Sequence, residues 1–99
     1  ALDYIRRATA VAPDQAALLD TLAVIEHLGG DHASAHRNIQ RALALSPGNL
    51  TMRFHRAMIE AALGEKDHAI ATLEELVKEG GVAFPERAEA ERLLVTLRG

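Results

Sequence analysis

Cysteine and tryptophan are absent from this 99-residue chain, and aromatic residues make up only 3% of it. Without cysteine there is no disulfide, no thiol nucleophile and no thiolate metal ligand. The compartment stays open, because a cysteine-free chain suits the cytoplasm and the periplasm alike. No apolar run approaches the roughly 18 residues that a membrane-crossing helix needs. Positive charge is not in excess either. The net charge is −3 and the pI about 5.9, so no general attraction to nucleic acid is expected. The balance is uneven along the chain: residues 1–58 carry six Arg against five acidic residues, and residues 59–99 carry five Lys and Arg against nine. Catalytic signatures are missing as well. Ser34 and Ser46 are the only serines and neither sits in a nucleophile elbow. Gly29-Gly30 and Gly80-Gly81 read as helix stops rather than as a phosphate-binding loop, and Glu74-Glu75 falls on an expected solvent face. No enzymatic activity and no cofactor are expected.

What is present is a period. Pro13 and Pro47 stand 34 residues apart, and the residues before them match: Ala1, Ile5 and Ala8 recur as Ala35, Ile39 and Ala42. The register continues to Ala69 and Leu73. A second set shares it, with Ala23, Ile25, Gly30 and Asp31 recurring as Ala57, Ile59, Gly64 and Glu65. Self-similarity at this spacing is the mark of a helix-turn-helix solenoid. The Ala- and Leu-rich composition agrees, because small residues with high helix propensity let helices approach closely.

Apolar spacing predicts six helices and no strand. The first covers 1–12, with Leu2, Ile5, Ala8 and Val11 on one face. The second covers 15–28, capped by Asp14, with Leu18, Leu19, Leu22, Ile25 and Leu28 apolar. The third runs over 32–45 behind the cap Asp31, using Ala35, Ile39, Ala42 and Leu45. Asn49 caps the fourth, 50–63, with Met52, Ile59 and Leu63. The fifth, 67–79, uses Ala69, Ile70, Leu73, Leu76 and Val77. The last, 85–97, opens on Pro85 in its first turn and uses Ala90, Leu93, Leu94 and Leu97. The chain begins with Ala inside a helical pattern, without initiator Met or signal peptide, and reads as a piece of a longer protein.

The pattern resembles the tetratricopeptide repeat family, in which each unit is an A helix and a B helix packed antiparallel and closed by a proline. Counting Ala16 as position 1, the first full repeat is 16–49. Leu22 and Ala23 fall at the family's Leu-Gly crossing, Gly30-Asp31 at the turn, and Ala35, Ile39, Ala42 and Pro47 at later signature positions. The second repeat, 50–81, is degenerate: Ala57, Gly64, Ala69 and Leu73 match, but Arg56 and Leu76 depart from the pattern and no proline closes the unit. Residues 1–13 correspond to the B helix of a truncated repeat, and residues 85–97 to a C-terminal capping helix. The resemblance implies an all-α solenoid of antiparallel helix pairs covering the single domain 1–99. A narrower likeness runs through Leu19-Asp20-Thr21-Leu22-Ala23, Arg53-Phe54-His55-Arg56-Ala57 and the terminal segment from Phe84 to Leu94. These stretches look like the C-terminal repeats of bacterial lipoproteins that accompany the PEP-CTERM sorting and exopolysaccharide export system. Ala23 and Val24 replace the Gly and Trp usual there. That likeness implies an exported, envelope-associated parent; without it a cytoplasmic one is equally in order.

The resemblance also implies a function: a non-enzymatic scaffold that holds a peptide or protein segment in the concave groove lined by A helices. The groove positions are Ala17, Asp20, Val24 and His27, then Thr51, Phe54, Met58 and Ala61, with His55 near the repeat junction. Asp20, Val24, His27, Phe54, His55 and Met58 form the expected binding site, an apolar spot with an acidic and an imidazole rim. Phe54 has a second reading as a residue packed between A helices. The alternative role for the whole chain is a structural end-cap of a longer array with no ligand of its own. The Lys and Asn of the family's carboxylate clamp are replaced by Asp20, Val24, Phe54 and Met58, which argues against a C-terminal-carboxylate receptor. His32 and His36 have a spacing that can serve one metal ion, but no third ligand accompanies them and no metal is expected. Arg6, Arg7, Arg37 and Arg41 form a basic stripe without interleaved aromatics, which reads as a solvated face and not as a nucleic-acid surface. Leu2 and Ile5, lacking an A-helix partner, are expected to make residues 1–12 weakly self-associating.

Overall fold

A computed structural model describes residues 15–81 and 84–99. The described residues are all-helical: α1 is Ala16–Leu28, α2 His32–Leu45, α3 Leu50–Ala62, α4 Lys66–Gly80 and α5 Arg87–Arg98, and no strand occurs among them. The expected helix over 1–12, with its adhesive face and the residues Arg6 and Arg7, lies outside the described residues. Each helix packs against the next in the chain, and α1 also meets α3.

Two turns with the same hydrogen bonding reverse the chain after α1 and after α3. At the first, the Asp31 N–H donates to the Glu26 carbonyl (2.8 Å) and the Gly30 N–H to the His27 carbonyl (3.1 Å). At the second, Glu65 donates to Glu60 (2.9 Å) and Gly64 to Ala61 (3.2 Å). Both pairs need a left-handed residue at the pivot, and Gly30 and Gly64 supply it with φ of 92° and 87°. The turns are 34 residues apart, so the sequence period is written into the backbone.

Caps follow the sequence in part. Asp31 accepts from the Ser34 N–H at 3.2 Å and Asn49 from the Met52 N–H at 3.0 Å, starting α2 and α3. At α1 the N-cap position is Gln15, which makes no side-chain capping bond, and the expected cap Asp14 lies outside the described residues. At the last helix, Pro85 lies in the turn before α5 and Glu86 takes the N-cap position, so the helix opens two residues later than Pro85 suggested.

The apolar residues form two clusters. Leu19, Ala23, Ala35, Ile39, Ala42, Leu43, Met52 and Ile59 pack among α1, α2 and α3. Phe54, Ala57, Leu73, Leu76, Phe84, Ala90 and Leu94 pack among α3, α4, α5 and the segment before α5. Full burial of side chains such as Leu19, Ile39 or Leu73 contributes about 1.5–3 kcal/mol each. Three apolar positions assigned to helix faces stay in solvent: Leu28 is 77% exposed, Leu45 46% and Leu63 40%. Leu28 ends α1 and Leu63 caps α3, where each chain leaves its packed face. At about 100° per residue, Leu45 lies roughly a third of a turn off the face centred on Ile39, and Leu43 takes its place inside.

Gly80 is more than a helix stop. It is the buried last residue of α4, and a Cβ added there would sit 2.5 Å from the Phe84 Cβ and 3.4 Å from Leu50 Cδ1. Because the Phe84 Cβ is tied to the backbone, it cannot swing away. A glycine that merely ends a helix gains from alanine, through helix propensity, by up to about 1 kcal/mol. Gly80→Ala is instead expected to lose about 1–3 kcal/mol by overpacking. Urea unfolding followed by far-UV circular dichroism measures the sign, and a gain in stability would show that Phe84 does not seat against α4.

Candidate functional site

The expected site residues lie on α1 and α3. Polar contacts at a constant offset join α1 to α3 and α3 to the start of α5. The His55 Nδ1–H donates to Asp20 Oδ1 at 2.7 Å, linking α3 to α1. The Thr51 hydroxyl donates to Glu86 Oε1 at 2.5 Å, linking α3 to the cap of α5. Both pairs are 35 residues apart in the chain. Asp20 and His55 are each about four-fifths buried, at 17% and 20% side-chain exposure. A hydrogen bond so far withdrawn from water is stronger than one at the open surface.

Phe54 does not belong to a surface. It is 4% exposed and meets Phe84 edge-on, with ring centroids 6.1 Å apart and planes at 72°. Of its two readings, packing is the one realised, because the segment before α5 lays Phe84 over it. That segment had no helical period and its contact was invisible in the sequence. Val24 and Met58 are half-buried, and Met58 packs against the second apolar cluster. The structure thus brings Asp20 and His55 together and leaves Val24 and Met58 partly open. It removes Phe54 from any direct contact with a partner.

His27 turns to a different neighbour. Its Nδ1 lies 3.0 Å from Nδ1 of His32, with ring centroids 4.9 Å apart. One ring must donate and the other accept, so this bond requires at least one neutral imidazole. His32 and His36 therefore do not act as a pair: His32 faces His27, while His36 approaches Glu60 with its Nε2 3.6 Å from Oε2. The arginines of the expected basic stripe make local bonds along α2, Arg37 to the Ser34 hydroxyl at 2.9 Å and Arg41 to Asn38 Oδ1 at 3.2 Å.

Two residues escaped the sequence reading altogether. Glu26 and Glu60 are buried, at 4% and 2% exposure, and they occupy the same place in the two repeats. Their 34-residue spacing was the available signal. Glu26 Oε1 accepts from the Asn38 amide at 2.7 Å. Glu60 Oε2 accepts from His68 Nδ1 at 2.7 Å and has Arg56 Nε 3.9 Å away. Arg56, which departs from the repeat pattern, thus stands beside a buried carboxylate. Two turns nearer the start of α3, Arg53 bridges to α4 through Glu79 at 2.9 Å and Glu75 at 3.5 Å. This hydrogen bond, together with the Arg53 charge, holds the Glu79 carboxyl below its usual range.

His27 gives the site a pH dependence. Burial, followed by the charges of His32 and His55, holds its pKa below the ordinary 6.5. The unfolded chain then binds a proton that the folded chain resists, so the contribution of His27 is fully present above about 6.5 and is lost as pH falls through the depressed value. The melting temperature of the wild type should decline between neutral and mildly acidic pH more steeply than that of His27→Asn. Scanning calorimetry across that range tests it, and equal slopes would show that His27 titrates alike in both states.

No family model matches the chain, and none of the curated proteins matches it.

Proposed function

We propose that this chain is a non-enzymatic scaffold of the tetratricopeptide kind, a solenoid fragment that holds a protein or peptide segment along the surface of α1 and α3. The observation that carries this reading is the recurrence at 34 residues of the whole hairpin turn, with Gly30 and Gly64 in the same left-handed conformation and the same hydrogen bonds. Repeats built this way stack and present one face of successive helices as a continuous surface. The constant 35-residue offset of the Asp20–His55 and Thr51–Glu86 pairs supports a regular sideways stacking. The contact surface centres on Asp20, Val24, His27, His55 and Met58. A half-buried Met supplies adaptable apolar area, and the Asp20 carboxylate favours a basic neighbour on the bound segment. A role in envelope or exopolysaccharide assembly follows from the narrower lipoprotein likeness alone.

The end-cap reading has its own support. On α5, Ala90 and Leu94 are buried while Glu91, Arg92 and Thr96 face solvent, with Val95 70% exposed. A mostly polar outer face is what a terminal repeat needs. In that role α5 closes the array and the chain extends a longer repeat protein.

Peptides selected from a random display library against the wild-type chain decide between them. The scaffold reading expects Met58→Ala and Asp20→Ala each to weaken the selected peptide by on the order of 1–2 kcal/mol, with Arg41→Ala on α2 neutral. Phe54→Ala is unsuitable as a probe, since emptying its buried site costs about 3–5 kcal/mol of stability. Binding that depends on Arg41 and ignores Met58 and Asp20 would place the partner on the other face. Failure to select any peptide favours the end-cap.

A further inference from the structure

Glu60 stands out as a buried carboxylate that its surroundings do not satisfy. It is 2% exposed, and its Oε1 has no hydrogen-bond partner. The Nε2 of His36, also buried, has none either. A buried polar atom left unpaired costs free energy, and two such atoms side by side suggest a shared missing partner. The third member is Glu65. It holds the N-cap position of α4, yet its side chain makes no capping bond, unlike Asp31 in the same place of the first repeat. One ligand atom from each of His36, Glu60 and Glu65 lies within 4.8 Å of the others. We propose that these three side chains bind a divalent transition-metal ion of the zinc class.

The donor set suits such an ion. Zinc takes imidazole nitrogen and carboxylate oxygen at about 2.0–2.2 Å, with water completing the shell. The three residues come from α2, α3 and the first position before α4, so an ion would tie three helices together. The turn between α3 and α4 holds two of the donors in register, because the Glu65 N–H is bonded to the Glu60 carbonyl. His68 donates to Glu60 Oε2 at 2.7 Å and orients that carboxylate from outside, as hydrogen bonds to metal-ligating carboxylates do. Arg56 is the opposing feature. Its Nε lies 3.9 Å from Glu60 Oε2 and has no hydrogen-bond partner of its own. With two carboxylates and one guanidinium the local charge is −1, so a divalent ion is attracted but not as strongly as by an unopposed pair.

The two repeats explain why the site occurs once among the described residues. In the first, Asn38 donates to Glu26 and Asp31 is engaged as a helix cap. In the second, Thr72 stands where Asn38 stands, with a side chain one donor shorter, and Ser34 is replaced by His68. The buried Glu is common to both repeats, whereas the second has no amide at the Asn38 position and has the imidazoles of His36 and His68 beside the carboxylate. This inference is independent of whether the α1–α3 surface binds a peptide.

Titration calorimetry of the metal-free 99-residue chain with zinc sulfate near neutral pH tests the proposal, together with the melting temperature with and without zinc. The wild type is expected to bind one ion per chain and to melt at a higher temperature with it, reversibly on adding EDTA. Glu65→Gln, at an exposed position, and His36→Gln should each weaken binding about tenfold or more while keeping the helical spectrum. His32→Ala, which dismantles the other imidazole pair, should bind as the wild type does. The proposal is overturned if the wild type shows neither heat nor a melting shift, or if Glu65→Gln and His36→Gln bind zinc like the wild type. It is also overturned if His32→Ala alone abolishes binding, which would place the ion between His27 and His32.

Discussion

The arrangement of this protein hangs on a backbone hydrogen bond made twice, from Asp31 to Glu26 and from Glu65 to Glu60. Each closes a left-handed turn on a glycine and sends the chain back along the helix it has just left. The direction of return is set by backbone geometry, so the two hairpins are alike before any side chain is considered. Where the returning helix lands decides which residues can be small. Ala23, Ala35, Ala42, Ala57, Ala69 and Ala90 have no exposed surface. Alanine at a helix crossing lets two backbones approach closely, and close approach replaces the aromatic bulk that this chain lacks. The bond also places the carbonyls of Glu26 and Glu60 at the turns, which keeps both side chains inside.

Those buried carboxylates give the interior a polar thread. Apolar residues of similar volume are often as stable as a buried ion pair, because desolvation offsets the Coulomb attraction. Glu26 meets that cost with Asn38. Glu60 meets it with His68, Arg56 and His36, and only in part, since one of its oxygens is left unpaired. The second repeat is thus the more polar and the less self-sufficient of the two, as its weaker match to the repeat pattern already indicated. Its apolar deficit is made up from outside the hairpin. Phe84 and α5 cover Phe54, Leu73 and Leu76, and Gly80 is kept small so that Phe84 can come close.

Sideways contacts carry a different message from the cores. Asp20–His55 and Thr51–Glu86 connect helices that are not neighbours in the chain, and both use side chains that helical periodicity would assign to solvent. Arg53 adds a contact between the consecutive helices α3 and α4 through Glu75 and Glu79. A surface built from such pairs is already hydrogen-bonded. What remains open on it is the flank of Val24 and Met58 and the unshared edges of the Asp20 and His55 groups.

The amino-acid sequence by itself determined the local structure. Gly30 and Gly64 must be pivots because only glycine takes their backbone conformation without strain, and Asp31 and Asn49 are caps because a short acceptor reaches the second or third N–H of the helix. The period between them follows, and so do the alanine crossings. Tertiary structure alone decided which apolar residues count as core and which polar ones are buried. Phe54 has the same helical phase whether it faces a groove or a covering segment, and only the placement of Phe84 settles it. Glu26 and Glu60 look like surface residues one at a time. Their burial depends on the turn that follows them and on Asn38, His36 and His68 arriving from other helices. Helix periodicity is a property of one segment, whereas burial and hydrogen-bond pairing are properties of several segments meeting, and no spacing within one helix records them.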